Sequence, residues 1–289
     1  MTGLLVFGMG YSASAAVTRL RTGVDRVLAT TRGAEKALRL ESDGIEAVVF
    51  DGAHPAPDVA DRLKGLEHVL VSIAPDQDGD PVLRAFGREI ARARPCSIVY
   101  LSTVGVYGDH GGAWVDEATP CRPVSQRSGR RRAAEADWQR FGREEGIPVA
   151  ILRLAGIYGP GRGPFEKIRA GTARRIVKPG QVFNRIHVDD IAAIVEAAFA
   201  RRADGIFNGS DDEPAPPQDV LAHAAALLGT PPPPEVAYAD AEMTPMARSF
   251  YAENKRVRSA RVRPELGVEL AHPTYREGLA ATLAREALP

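Results

Sequence analysis

The stretch Leu4-Leu5-Val6-Phe7-Gly8-Met9-Gly10-Tyr11-Ser12-Ala13 constrains this chain more than any other. Four apolar residues suited to a buried strand run directly into Gly-x-Gly-x-x-Ala, and a small-residue helical stretch, Ala15 to Leu20, follows. That is the order of a dinucleotide-binding βα turn. In such a turn Gly8 makes the tight bend, Gly10 lets the backbone approach a pyrophosphate, and Ala13 lets the helix lie close on the strand. Tyr11 and Ser12 then open a helix whose free N–H groups and positive dipole end face the phosphates. The same glycines also suit a plain βα turn that binds no nucleotide.

Val27 to Thr31 reads as a second strand, followed by Arg32-Gly33. In dinucleotide folds this strand end meets the adenosine ribose, where a carboxylate bonds the ribose hydroxyls and repels a 2′-phosphate. No acid stands here. Thr30, Thr31 and Arg32 offer hydroxyls and a guanidinium fork suited to phosphate, so NADP(H) is expected over NAD(H). In a chain with 32 arginines and five lysines, Arg32 is equally readable as one more solvated arginine.

Ala34 to Asp43 is a helical stretch stopped by Gly44, and Ala47 to Phe50 is a third strand closing on Asp51. That aspartate is placed either to bond an adenine amino group or to cap a turn before the Pro55/Pro57 loop. A helix over Val59 to Lys64 leads to a fourth strand from His68, with Ser72, Ile73 and Ala74 forming an end fit to lie beside a cofactor. Asp80-Pro81 caps and starts a helix reaching about Ala93. Ser97 to Leu101 is a fifth strand, Ser128 to Glu145 a long charged helix, Val149 to Leu154 a sixth strand and Gly205 to Gly209 a further one. Strands alternating with helices of this length predict an α/β fold: a Rossmann-like doubly wound parallel sheet with right-handed crossovers and a smaller C-terminal substrate lobe. The dinucleotide-binding domain is expected over 1–160, its sheet completed by 181–209. The lobe is expected from 161–180 and 210–289.

Lys plus Arg equals Asp plus Glu at 37 each, so no net field argues for nucleic acid or a membrane surface. Cys96 and Cys121 form no disulfide framework and no metal-ligand spacing, and the six histidines are scattered, so no metal is expected. The N-terminus carries no basic leader, and no apolar run approaches membrane-spanning length, so a cytoplasmic location is expected. A small-molecule partner and a monomer or homodimer complete the expectation.

Four motifs stand in order: Gly8-x-Gly10, Ser102-Thr103-Val104-Gly105-Val106-Tyr107-Gly108, Arg153-Leu-Ala-Gly-Ile-Tyr-Gly-Pro160 and Arg185-Ile-His-Val-Asp-Asp190. In these the chain resembles, over nearly its whole length, the extended short-chain dehydrogenase/reductase family, which includes NAD-dependent sugar epimerases and dehydratases. The resemblance implies that a Ser or Thr hydroxyl polarises the substrate oxygen. It also implies that a Tyr moves the proton and that a Lys four residues later lowers that tyrosine's pKa. The hydroxyl maps to Thr103. The Tyr-x-x-x-Lys register, just ahead of Ala133-Ala134-Glu135, falls on Arg127 and Arg131. Arg131 can supply the positive charge. Arg127 cannot act as the acid, because guanidinium keeps its proton at working pH. The pattern resembles atypical members that keep the fold without the tyrosine.

The expected catalytic set is therefore Thr103, Tyr107 and Arg131, with a nicotinamide beside Leu154 and Gly156. Tyr107, Tyr158 and His187 lie in loops expected near the ligand edge of the sheet, where packing or capping competes with proton donation. Arg162, Arg169, Arg185 and Arg256, with Lys255, fall in segments that in the family build the substrate lobe, and could clamp a phosphate or carboxylate. The expected function is an NADP(H)-dependent oxidoreductase or an epimerase/dehydratase-type enzyme acting on a small polar or anionic, sugar-like substrate. The rival reading is a non-catalytic NADP(H)-binding redox sensor or regulatory protein. A cofactor-free sugar or polyol binder ranks last.

Overall fold

A computed structural model describes residues 3–54, 59, 62–63 and 65–287. Seven strands form one parallel sheet: β1 (Gly3–Phe7), β2 (Arg26–Thr31), β3 (Glu46–Val49), β4 (His68–Val71), β5 (Ser97–Thr103), β6 (Val149–Leu154) and β7 (Gly205–Gly209). Their spatial order is β7-β6-β5-β4-β1-β2-β3. Seven longer helices accompany them: α1 (Tyr11–Leu20), α2 (Ala34–Ser42), α3 (Pro81–Ala93), α4 (Gln126–Glu145), α5 (Val188–Ala200), α6 (Pro217–Leu227) and α7 (Tyr275–Glu286). The expected Pro55/Pro57 loop and much of the Val59 to Lys64 helix lie outside the described residues.

Alternation along each strand explains the three-layer arrangement. Leu4 and Val6 pack into one core with residues of α1, α2 and α5, whereas Leu5 and Phe7 pack into a second core with residues of α3 and α4. Val99 and Ile98, then Leu152 and Ile151, divide in the same way. A sheet covered on both faces needs such uninterrupted apolar strands. Asp80 caps α3 as its position before Pro81 predicts, its Oδ1 accepting from the N–H groups of Val82 and Leu83 at 3.0 and 3.1 Å.

Strand order reverses at β1, which has β4 on one side and β2 on the other. Ligands of doubly wound sheets bind in the crevice that opens at such a switch point, beyond the strands' carboxyl ends. Outside the large sheet, a smaller apolar cluster is built around Tyr158, Phe165, Val220 and Tyr275. Short parallel pairs join 156–158 to 185–187, 175–177 to 235–237, and 114–115 to 256–257.

One buried polar network ties α4 to the sheet. Glu135 and Arg153 are 0% and 1% exposed and meet at 2.7 Å, Nη2 to Oε2. Ser102 donates to Glu135 Oε1 at 2.5 Å, and the Arg153 guanidinium lies 4.8 Å from the centre of the Tyr107 ring. Tyr107 in turn donates to Asn208 Oδ1 at 2.8 Å. Breaking such a pair from one side leaves a bare buried charge, which costs roughly 3–5 kcal/mol. Glu135→Gln is therefore expected to lower stability by several kcal/mol in urea unfolding; a loss below about 1 kcal/mol would show the pair to be incidental.

Candidate functional site

The crevice at the switch point is a cavity of about 600 Å³ lined by Gly8, Met9, Gly10, Thr30, Thr31, Arg32, Gly33, Lys36, Phe50, Asp51, Gly52, Ser72, Ile73, Ala74, Asp76 and Pro81. Its floor is held by the opening turn. Gly8 adopts φ +89°, and a Cβ there would stand 2.8 Å from Ile73 Cγ1, so only glycine fits. The Gly8 N–H donates to Thr30 Oγ1 at 2.9 Å, and the Met9 N–H to the Thr30 carbonyl at 3.0 Å. A Cβ at Gly10 would meet nothing within 4 Å: the space beside the backbone is open where a phosphate would approach. Gly10 caps α1 without a side-chain hydrogen bond, which leaves the first-turn amides for an anion. These residues fit a dinucleotide.

Of the residues expected to bind cofactor, the cavity gathers Gly8, Gly10, Thr31, Arg32, Asp51, Ser72, Ile73 and Ala74. Tyr11, Ser12 and Ala13 shape the turn from outside that lining: Ala13 is fully buried, and Tyr11 donates to the Pro160 carbonyl at 2.9 Å. Leu154 and Gly156 are also absent from the lining. Leu154 is buried, while the Gly156 N–H donates to the Asn184 carbonyl at 3.0 Å. Asp51 lines the cavity and also caps its own turn. Its carboxylate accepts from the N–H groups of Ala53 and His54 at 2.8 and 3.0 Å and faces the His54 ring, which holds it well below the usual carboxylate range. The turn-capping alternative describes its side chain.

Lys36 escaped the sequence reading. It stands on the first turn of α2, lines the cavity with Arg32, and donates to the Met9 carbonyl. Its signal was available as a second cation one helical turn after Arg32, at the same end of the crevice.

Thr103 lies outside that lining; it terminates β5, with its Oγ1 accepting from the Gly105 N–H at 3.1 Å. Tyr107 is corrected from catalytic to packing: it is 0% exposed, its phenol is committed to Asn208, and burial pushes its pKa up to about 12. Arg131 is likewise drawn inward, donating to Tyr100 Oη at 3.0 Å and the Leu101 carbonyl at 2.9 Å. Those two bonds hold its Nη1 against the strand. Arg127 remains on the surface, its guanidinium 5.2 Å from the centre of the Phe250 ring.

The lobe residues are mostly spoken for. Tyr158 is buried in the small apolar cluster, and burial raises its pKa. Arg185 donates to the carbonyls of Phe183 and Ala215 at 2.9 and 3.2 Å, Arg169 pairs with Glu286 at 3.1 Å, and Lys255 pairs with Glu253 at 2.6 Å. Arg256 donates to the Gly112 carbonyl. Arg162 is exposed and lies 5.5 Å from the centre of the Tyr11 ring.

His187 accepts from the Asp189 N–H at 3.2 Å and so caps α5. Its ligand atoms and those of Asp190 and His272 lie within 4.8 Å of one another, a grouping the sequence spacing concealed. Asp190 accepts from the N–H groups of Ala271 and His272 at 2.7 and 3.2 Å, and the centres of the two imidazoles lie 3.9 Å apart with the rings tilted by 36°. Burial, then the second imidazole, pushes His187 down to about 4. With these atoms already partnered, the group latches the segment before α7 onto the start of α5.

The sequence profile of the NAD-dependent epimerase/dehydratase family matches residues 88–210, the span from α3 through β7. Residues 88–210 thus carry the sequence pattern of that family. A conserved protein of unknown function from Silicibacter pomeroyi is 47% identical, with a TM-score of 0.87 over 100% of both chains. A 3-diazoavenalumate denitrifying reductase from a Streptomyces species is 31% identical over 159 residues, 50% of this chain and 51% of that protein. The chain thus spans about half the length of that reductase. The fold is shared with a dTDP-glucose 4,6-dehydratase from Streptomyces venezuelae, 19% identical, with a TM-score of 0.81 over 99% of this chain and 98% of that one.

Beside Arg185, Asp211 is 1% exposed, and burial raises its carboxyl to about 8 despite the opposing pull of the guanidinium. Between its ordinary value of 3.8 and about 8, the folded protein keeps a proton that the unfolded chain has lost. Stability from this group therefore falls as pH rises through that window. Asp211→Asn removes the slope, so the variant should gain stability relative to the parent between pH 5 and 8. Parallel urea-midpoint curves for the two proteins would refute this.

Proposed function

We propose that the protein is an NADP(H)-dependent oxidoreductase of the epimerase/dehydratase type, acting on a small polar or anionic, sugar-nucleotide-like substrate. The observation that carries this reading is the crevice itself: a Gly8/Gly10 turn open to a pyrophosphate, with Arg32 and Lys36 at the end that receives the adenosine ribose. Two cations at the end of β2 favour a 2′-phosphate over a bare ribose. Gly8, Gly10, Thr31, Arg32, Lys36 and the Ser72–Ala74 backbone would hold the dinucleotide. When bound, its nicotinamide supplies or accepts the hydride. Thr103 contributes a hydroxyl proton that polarises the reacting oxygen of the substrate.

A sugar-nucleotide-like substrate is supported by the family, and the related Streptomyces venezuelae dehydratase is itself described with NAD bound. One observation favours the second reading, a redox sensor: the positions of the family's Tyr and Lys carry an exposed Arg127 and an Arg131 held against β5. A sensor would bind reduced and oxidised cofactor differently and turn nothing over.

The first experiment is a paired titration with NADPH and NADH, read by nicotinamide fluorescence. NADPH is expected to bind at least tenfold more tightly, and a double variant with Arg32→Ala and Lys36→Ala should abolish the difference, a loss of about 1.4 kcal/mol or more. Equal affinities in the parent protein would end the 2′-phosphate argument. In the loaded enzyme, Thr103→Ala should cut turnover at least a hundredfold while changing cofactor affinity less than twofold. Intact turnover would remove Thr103 from the mechanism.

A further inference from the structure

The two arginines at the family's Tyr and Lys positions have opposite fates. Arg131 is tied to Tyr100 and Leu101. Among the described residues, Arg127 makes no hydrogen bond or ion pair, only its contact with the Phe250 ring. Stacking uses the face of a guanidinium and leaves its N–H edge free to grip an oxyanion with two parallel bonds.

Two further observations bear on what this edge is suited to hold. Arg127 lies in the first turn of α4, where the positive end of the helix dipole disfavours a cation, and that turn holds no acidic residue to balance it. Its aromatic partner belongs to the short helix Pro245–Phe250, which buries none of its residues. Met246 and Phe250 are 62% and 48% exposed and share a face at i, i+4 spacing, while Val124, 59% exposed, stands three residues before Arg127. An apolar surface thus flanks an unpaired cation.

The next residue links this spot to the proposed reacting centre. Ser128 accepts a hydrogen bond from Ser125 Oγ at 2.9 Å. A Cβ placed on Gly105 would stand 3.0 Å from Ser128 Oγ and 3.4 Å from Thr103 Oγ1, so the start of α4 abuts the Thr103 hydroxyl.

We propose that Arg127 and Phe250 form a surface anion-recognition site at the start of α4, taking a carboxylate or phosphate carried by a planar apolar group. The guanidinium edge grips the oxyanion, and the Phe250 ring holds the guanidinium in plane. The planar group covers the exposed face of the short helix. Calling the anion part of the substrate rests on the oxidoreductase reading; the site itself does not.

The probes are benzoate, phenyl phosphate and uncharged benzamide, titrated by ligand-observed NMR into the full chain with and without NADPH. Benzoate or phenyl phosphate is expected to bind at least tenfold more tightly than benzamide, and the tighter of the two identifies the oxyanion. Arg127→Gln should weaken that probe at least tenfold, Arg127→Lys less, and Phe250→Ala severalfold, with NADPH affinity changed less than twofold. Equal binding by parent and Arg127→Gln, or benzamide binding as well as benzoate, overturns the site while leaving the cofactor reading intact. Arg127-dependent binding in a protein that takes up no NADPH sustains the site and removes the oxidoreductase reading.

Discussion

The buried ion pair between Glu135 and Arg153 is the contact on which the geometry of the candidate site depends. It joins the middle of α4 to the end of β6, and through Ser102 and Tyr107 it reaches β5 and β7. Two charges removed from water at this depth are tolerated only because each meets several partners in good geometry. With α4 pinned along its length, its first turn is pinned too, and that turn carries Ser128 against Gly105 and Thr103. The same network explains why Tyr107 is unavailable for chemistry. Its ring covers the Arg153 guanidinium and its hydroxyl is used by Asn208.

The nucleotide end depends on a different constraint, the absence of side chains. At Gly8 the left-handed backbone and the nearness of Ile73 exclude any Cβ, which lets β1 turn directly into α1. At Gly10 the reason is the reverse, open space kept for a ligand. A strand, two glycines and a helix start thus create the crevice; among the side chains that line it, Thr30 and Lys36 also bond the turn itself. Among the described residues, Arg32 makes no hydrogen bond to the turn, so its charge serves to choose among ligands.

The large sheet was legible because its cause is local. Apolar runs of strand length, separated by helices with readable caps such as Asp80-Pro81, recur along the chain, and the observed strands fall within a few residues of their expected positions. The cofactor turn was legible for the same reason. Contacts between residues far apart in sequence were not. Nothing near Glu135 announces Arg153, and the His187, Asp190 and His272 grouping joins residues more than eighty positions apart. Both are set by how helices dock on the sheet. The sequence puts Arg127 and Arg131 one turn apart on α4, yet it could not say which guanidinium turns inward.

That last distinction follows from helix geometry. Residues 127 and 131 are one turn apart, and both begin near the same stripe of α4. The stripe slants across β5, so the later residue meets Tyr100 and the Leu101 carbonyl, which satisfy two donors of Arg131. One turn earlier the strand has ended, and no carbonyl or carboxylate among the described residues is left for Arg127. A tyrosine at that position would present a single hydroxyl to the cleft. An arginine presents a permanent charge that does not release its proton at working pH, so position 127 suits holding an anion and not proton transfer. The charge of Arg127 is thus set outward at the start of α4, while the Thr103 hydroxyl and the cofactor crevice stay where β5 and the β1 turn put them.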